Sequence, residues 1–257
     1  MNSLNGITAL ITGVSRRKGI GFAIAKRLAN RGANLFLHAY APYDKTVFSN
    51  PDLSDPQILQ KELAEYEISV AGIEADFSDL DAPGVVMQAA TEKFGHIDIL
   101  ILNHTYDTTK TLDELTADEI DHHLAVNVRA ALLLIQEFER RHDGRPGGRV
   151  ILLTSGQHLG PMPHLAYVAS KGALHQLTVS LSDRLIDKGI TVNTVNPGPT
   201  KSYTPDSAID KAVLQRMPLG RWGEPDDAAR LIAWLVSEDA QWITGQIINS
   251  EGGFRRG

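Results

Sequence analysis

The sequence predicts a doubly wound α/β domain, a parallel sheet covered by helices on both faces, and three observations carry that expectation. Seven short runs rich in Val, Ile and Leu alternate with longer amphipathic stretches along the 257 residues. A glycine-rich turn separates the first run from the first amphipathic stretch. Polar residues able to do chemistry follow the carboxyl ends of several runs, where ligands collect in open parallel sheets.

The first strand, over 7–12, is the continuous apolar and β-branched run Ile7-Thr8-Ala9-Leu10-Ile11-Thr12, the pattern of a strand buried on both faces. It enters Gly13-Val14-Ser15-Arg16-Arg17-Lys18-Gly19-Ile20-Gly21, and a helix over 19–31 follows, with Phe22, Ile24, Ala25 and Leu28 as its apolar face and Gly32 as its stop. Strand, glycine turn and helix bring backbone N–H groups up to a pyrophosphate, with glycines where a side chain would block the approach. Strands over 34–39, 69–75, 97–102, 149–154, 190–195 and 245–249 follow, with helices over 55–66, 79–94, 116–142, 165–188, 207–217 and 225–237. Parallel neighbours need crossover connections, which these helices supply. The connection from Tyr40 to Pro56 is long, and Pro42, Pro51 and Pro56 predict a loop there rather than an extra helix.

One alternation runs throughout with no Gly/Ser- or Pro-rich linker, so residues 1–257 read as a single domain. A 42% hydrophobic content suffices for a large core, and 22% charged residues give an ordinary polar surface. The net charge of −6 argues against nucleic acid as a partner, and Arg140-Arg141 and Arg255-Arg256 are too short to form a basic stripe. No apolar stretch approaches the roughly 18 residues of a membrane span, and no signal segment precedes the first strand, so no membrane partner and a cytoplasmic location are expected. The absence of cysteine excludes disulfides and thiol catalysis. The histidines form no metal-ligand pattern, so no metal is expected.

The chemistry concentrates in Tyr167-Val168-Ala169-Ser170-Lys171, with Ser155 upstream after Val150-Ile151-Leu152-Leu153-Thr154. Residues four apart share a helix face, so the Lys171 ammonium can sit under the Tyr167 phenol. A cation there is expected to lower the phenol from its free pKa of about 10 toward neutrality, making it a usable acid or base. Ser155 is placed to polarise a carbonyl oxygen.

With these motifs in this order, the chain resembles the short-chain dehydrogenase/reductase family over nearly its whole length, most closely classical NADP-dependent members similar to 3-oxoacyl-carrier-protein reductases. The resemblance maps the family's glycine loop onto Thr12, Gly13, Gly19 and Gly21, its Asn-Ser-Tyr-Lys tetrad onto Asn127, Ser155, Tyr167 and Lys171, and its Pro-Gly turn onto Asn196-Pro197-Gly198. It implies a Rossmann-type sheet of seven parallel strands, a substrate lid over about 199–217 carrying Thr200, Ser202, Tyr203 and Thr204, and a homo-oligomer, dimer or tetramer. The implied pyrophosphate site is Gly13, Ser15, Gly19, Ile20 and Gly21. Adenine would lie against Asp76 and Phe77, the alternative for Asp76 being a cap on the next helix. The nicotinamide end would meet Asn103, Tyr167, Lys171, Pro197, Gly198 and Thr200. The Asn127 side chain is implied to bend its helix and hold a water linking Lys171 to solvent.

NADP(H) is expected over NAD(H): the second strand ends at Ala39-Tyr40, without the carboxylate that binds a ribose 2′-hydroxyl, and Arg16 and Arg17 can meet a 2′-phosphate. The implied activity moves a hydride between the nicotinamide and a carbonyl or secondary alcohol, a 3-oxoacyl thioester among the candidates. The alternative is a non-catalytic NADP-binding sensor or interaction protein on the same fold. Departures are a longer glycine loop and His104-Thr105 after Asn103. The longer loop is similar to that of enoyl reductases, whereas the close Tyr167-Lys171 spacing favours carbonyl reduction. His158, Met162 and His164 could shape the substrate pocket.

Overall fold

The computed structural model describes residues 3–47, 56–202 and 207–256. In chain order these form β1 (Thr8–Ile11), α1 (Ile20–Ala29), β2 (Asn34–Ala39), α2 (Ala41–Val47), α3 (Pro56–Ala64), β3 (Val70–Glu74), α4 (Ala82–Phe94), β4 (Ile99–Leu102), α5 (Ala117–Leu124), α6 (Ala130–Arg141), β5 (Gly148–Leu153), α7 (Leu165–Leu185), β6 (Ile190–Asn196), α8 (Ser207–Gln215), α9 (Pro225–Leu235) and β7 (Ile247–Asn249). The strands make one seven-stranded sheet in the order β3-β2-β1-β4-β5-β6-β7, every pair parallel. The winding reverses between β1 and β4, which opens a crevice at their carboxyl ends.

Period-two alternation divides the core. Ala9 and Ile11 of β1, Ile99 and Ile101 of β4, and Ile151 and Leu153 of β5 face a cluster completed by α1 and α9. Leu10, Leu100, Leu102, Val150 and Leu152 face the opposite cluster, completed by α4, α6 and α7. This two-sided burial is why the strands read as continuous apolar runs. No helix among the described residues is long and apolar enough to cross a membrane.

Two expectations need correction. The start of the Tyr40–Pro56 connection is helical, because Pro42 falls in the first turn of α2, where a missing N–H removes no intrahelical bond. Pro56 opens α3 for the same reason, while Pro51 lies outside the described residues. The single helix expected over 116–142 is instead α5, a π-helical turn at Ala125–Arg129, and α6. Of the lid, α8 is described and buries none of its residues, whereas Tyr203 and Thr204 lie outside the described residues.

Candidate active site

The glycine turn is built on Thr12, fully buried at the end of β1. Its hydroxyl oxygen accepts from the backbone N–H groups of Asn103 at 3.0 Å and His104 at 3.2 Å, which ties the end of β4 to the turn. Asn103 Nδ2 donates to the carbonyls of Thr12 and Gly13 at 3.0 and 2.9 Å. Gly13 has φ +71°, and a Cβ there would stand 2.8 Å from the His104 Cα, so both backbone and space require glycine. At the start of α1, Gly19 offers no side-chain cap and the first turn holds no acidic residue. The orphan N–H groups of that turn therefore favour an anion.

His104 is buried rather than a surface loop residue. Its Nε2 donates to the Val126 carbonyl at 3.0 Å, which leaves Nδ1 to accept from the Thr12 hydroxyl at 2.7 Å. Burial holds its pKa well below the ordinary value, so the ring is a neutral brace between β1 and the π-helical turn. His38, at the end of β2, works similarly. It donates from Nε2 to the Ala75 carbonyl at 2.9 Å, accepts from the Gly13 N–H at 3.3 Å, and stacks on Phe77 with ring centroids 3.9 Å apart. Burial lowers His38 to about 4. Asp76 accepts from the Ser78 N–H at 2.8 Å, so it does serve the following turn. Desolvation pushes its carboxyl up, but hydrogen bonds from Ser78 and Tyr40 outweigh it and hold the pKa below the usual range.

The basic loop divides. Arg17 points away from the cleft to Glu62 of α3 at 2.8 Å, so of the two arginines expected at the ribose phosphate only Arg16 faces the cleft. Arg16 Nε lies 3.2 Å from Asp44 Oδ1, and its Nη1 donates to the Ser202 carbonyl at 2.8 Å. Asp44 also accepts from the Ser15 hydroxyl. A carboxylate therefore does stand near this locus, on α2 rather than at the end of β2.

At the other end, β5 is stitched to α7. The Lys171 ammonium, 2% exposed, donates to the Leu153 carbonyl at 2.9 Å, and the Thr154 hydroxyl donates to the Lys171 carbonyl at 3.1 Å. These bonds bring Ser155 into the same cleft as Tyr167, with the Ser155 hydroxyl donating to Met162 Sδ at 3.8 Å. The ammonium lies 5.7 Å from the Tyr167 ring centroid. The expected lowering of the phenol does not occur. Desolvation and the Asp107 carboxylate push it up, outweighing the help from Ser155, while burial lowers Lys171 to about 8. The protein by itself thus favours a protonated phenol.

Asn127 lies in the π-helical turn that breaks the expected helix, and its side chain is partnered within the protein. Oδ1 accepts from the Tyr106 N–H at 2.7 Å, and Nδ2 donates to the Tyr106 carbonyl at 2.8 Å and to Ser170 Oγ at 2.9 Å. Ser170 in turn donates to the Tyr167 carbonyl at 2.8 Å. Both amide protons are used inside the protein, so Asn127 locks the 103–110 segment to α7.

Around Tyr167 the cleft walls are aromatic and polar. Tyr43 of α2 clasps Asp107, donating to its carbonyl at 3.0 Å and accepting from its N–H at 2.9 Å. His164 Nδ1 lies 3.3 Å from Asp107 Oδ2. Tyr106 packs on Tyr43, and His122 and His123 both pack against Tyr106 with centroids 4.2 and 4.7 Å away. The floor is the Asn196-Pro197-Gly198 turn. Asn196 Oδ1 accepts from the Gly198 N–H at 3.0 Å, and its Nδ2 donates to Glu251 at 2.8 Å, whose carboxylate pairs with Arg256 at 2.6 Å. Thr200 donates to the Pro197 carbonyl at 3.2 Å.

These parts line one cleft of about 610 Å³, within the size range of small-molecule sites. It brings together Gly13, Ser15, Arg16, Gly19, Ile20, Asp76, Phe77, Asn103, Ser155, Tyr167, Lys171, Pro197, Gly198 and Thr200. Arg17, Gly21 and Asn127 are not among its walls; Gly21 lies beneath the turn, against Asn103 and the Gly13 carbonyl. Sequence reading missed His38, Tyr43, Asp44 and Asp107. Only an alignment by fold could have flagged them, since each acts through partners distant in the chain.

The family model described as enoyl-(acyl carrier protein) reductase matches residues 13–255. The chain belongs to the short-chain dehydrogenase/reductase family of oxidoreductases. It is 42% identical over 252 residues, 97% of each chain, to an uncharacterized oxidoreductase, YjdA, of Bacillus subtilis (strain 168). It is 32% identical over 98% of its length and 96% of the relative's to the hydroxynaphthalene reductase-like protein Arp2 of Metarhizium anisopliae (strain ARSEF 549). A short-chain dehydrogenase from Burkholderia cenocepacia J2315 in complex with NADP superposes with a TM-score of 0.87 at 34% identity, covering 98% of this chain and 99% of that one.

Proposed function

We propose that this chain is an NADP(H)-dependent oxidoreductase that moves a hydride between the nicotinamide and a carbonyl or secondary-alcohol substrate, with Tyr167 exchanging the proton. The observation that carries the reading is that Ser155, Tyr167 and a buried Lys171, its ammonium 5.7 Å from the Tyr167 ring centroid, line the same cleft as the uncapped start of α1.

The residues present fit a dinucleotide. The glycine turn packs tightly on Asn103 and His104, which holds the first turn of α1 in place at the cleft, and that first turn offers N–H groups to a pyrophosphate. Ser15, expected with the pyrophosphate turn, stands instead beside Arg16 on Asp44, so these two would take the 2′-phosphate, His38, Asp76 and Phe77 would border adenine, and the Asn196–Thr200 turn would support the nicotinamide. When bound, NADPH supplies the hydride. Lys171 then holds the nicotinamide ribose hydroxyls. Tyr167, kept protonated by desolvation and Asp107, donates its proton to the carbonyl oxygen, and Ser155 steadies that oxygen as charge builds. The phenolate left behind is stabilised by the Lys171 ammonium. Alcohol oxidation follows the same path backwards.

The aromatic wall of Tyr43, Tyr106 and His122 supports a planar, hydroxylated ring ketone as substrate, in line with the hydroxynaphthalene in the name of one relative. A 3-oxoacyl thioester is the second substrate to test. A homo-oligomer in the cytoplasm completes the proposal, supported by Val179 and Trp242, exposed by 61% and 96%; sedimentation at working concentration tests the assembly. To test the function, NADPH and NADH are titrated by reduced-nicotinamide fluorescence, and NADPH consumption is then followed with both substrate classes. Preferential NADPH binding with turnover of ring ketones is expected. Binding without turnover across the panel would instead favour a non-catalytic NADP sensor, and binding of neither nucleotide would refute both readings.

A further inference from the structure

Ser15 and Arg16, which the proposed function assigns to the 2′-phosphate, already hold an anion supplied by the chain itself. The Asp44 carboxylate, 6% exposed, accepts from the Ser15 hydroxyl through Oδ2 and faces Arg16 Nε at 3.2 Å through Oδ1. The Arg16 guanidinium reaches on to the Ser202 carbonyl at 2.8 Å, so it joins α2 to the lid segment across the cleft. The preceding side chain of α2, Tyr43, grips both backbone groups of Asp107, which fixes where Asp44 stands. Burial pushes the Asp44 carboxyl up and is opposed by Ser15 and Arg16, as expected of an acid kept in a desolvated place by its partners. A hydroxyl donor and a guanidinium converging on one acidic group is also how a phosphate is recognised.

We propose that Asp44 is a cofactor-specificity determinant that acts as an internal competitor, its carboxylate occupying the place of the 2′-phosphate until a phosphorylated dinucleotide displaces it. This rests on the NADP(H) reading above. A 2′-phosphate carries roughly −1.5 to −2 charge and can take over both partners of Asp44. A 2′-hydroxyl carries none. Separating Asp44 from the partly desolvated Arg16 would cost their pairing while a 2′-hydroxyl offers no anion in exchange, so NADH binds with the pair intact. NADPH binding is therefore opposed by the free energy of breaking Asp44's contacts, and NADH binding is not. Asp44 narrows a preference that Arg16 creates.

The test uses the full-length protein, with NADPH and NADH followed by fluorescence and with 2′,5′-ADP and 5′-AMP as probes of the adenosine end alone. Asp44→Asn should tighten NADPH and 2′,5′-ADP about tenfold, the size expected from losing one charge-assisted competitor, and leave NADH and 5′-AMP within about twofold. Unchanged or weaker NADPH binding, or equal tightening of all four probes, would overturn the proposal. Asp44→Ser gives the same expectation without the amide and serves if the first variant does not fold. Arg16→Gln separates the two readings: it should abolish the NADPH preference, and a preference surviving in that variant would remove Arg16 from the phosphate site whatever Asp44 does.

Discussion

Lys171 shows how far a residue's neighbours can move its chemistry. Its spacing from Tyr167 was legible because a helix brings positions four apart onto one face. Its environment was not, since the Leu153 carbonyl and the apolar surroundings come from β5. Burial brings the ammonium to about 8, so it is charged below that pH and neutral above it. The proposed hold of a cationic Lys171 on the ribose hydroxyls gives a definite sign: cofactor affinity should be full below about pH 8 and decline as pH rises past it. Titrating NADPH from pH 6.5 to 9.5 tests this, and Lys171→Met should flatten that part of the profile; a wild-type affinity that rises with pH contradicts it. His38, Tyr43, Asp44 and Asp107 were illegible for the same reason. Each is defined by contacts with partners far away in sequence, and a single chain read locally shows a histidine, a tyrosine or an aspartate without its partners.

Among the elements, strands and long helices were readable because period two and period 3.6 are imposed by burial. Short irregular elements were not. Proline count suggested a loop where α2 forms, since composition does not reveal that a proline sits in a first turn. The π-helical turn was hidden inside a stretch whose apolar pattern continues through it, and only the polar Asn127 among Val126 and Val128 marked the place. The turn is held by Asn127, whose amide satisfies both backbone groups of Tyr106. Asn127→Ala would leave those two groups without partners in a partly buried place, a loss of about 3 kcal/mol at the usual 1–3 kcal/mol per orphaned group. The melting temperature should fall by about 6–12 °C for a chain of this size. Calorimetry checks it, and an unchanged melting temperature would mean the 103–110 segment is held elsewhere.

For the whole molecule, the seven-stranded parallel sheet followed from the alternation itself, and chain winding then collected the chemistry at one end of the sheet. The glycine turn after β1, Asn103 after β4, Ser155 after β5 and Pro197 after β6 are far apart in sequence yet share one cleft. What the alternation could not give is the closure of that cleft, where α2 and the lid meet through Arg16. The central claim is that this cleft transfers a hydride and that Tyr167 carries the accompanying proton. Its most direct test compares wild type with Tyr167→Phe for NADPH affinity and for NADPH-dependent reduction of a turned-over ketone. Loss of at least about a hundredfold in turnover, the lower end for a positioned acid, with affinity nearly intact is the predicted result. Equal turnover by the variant would contradict the account.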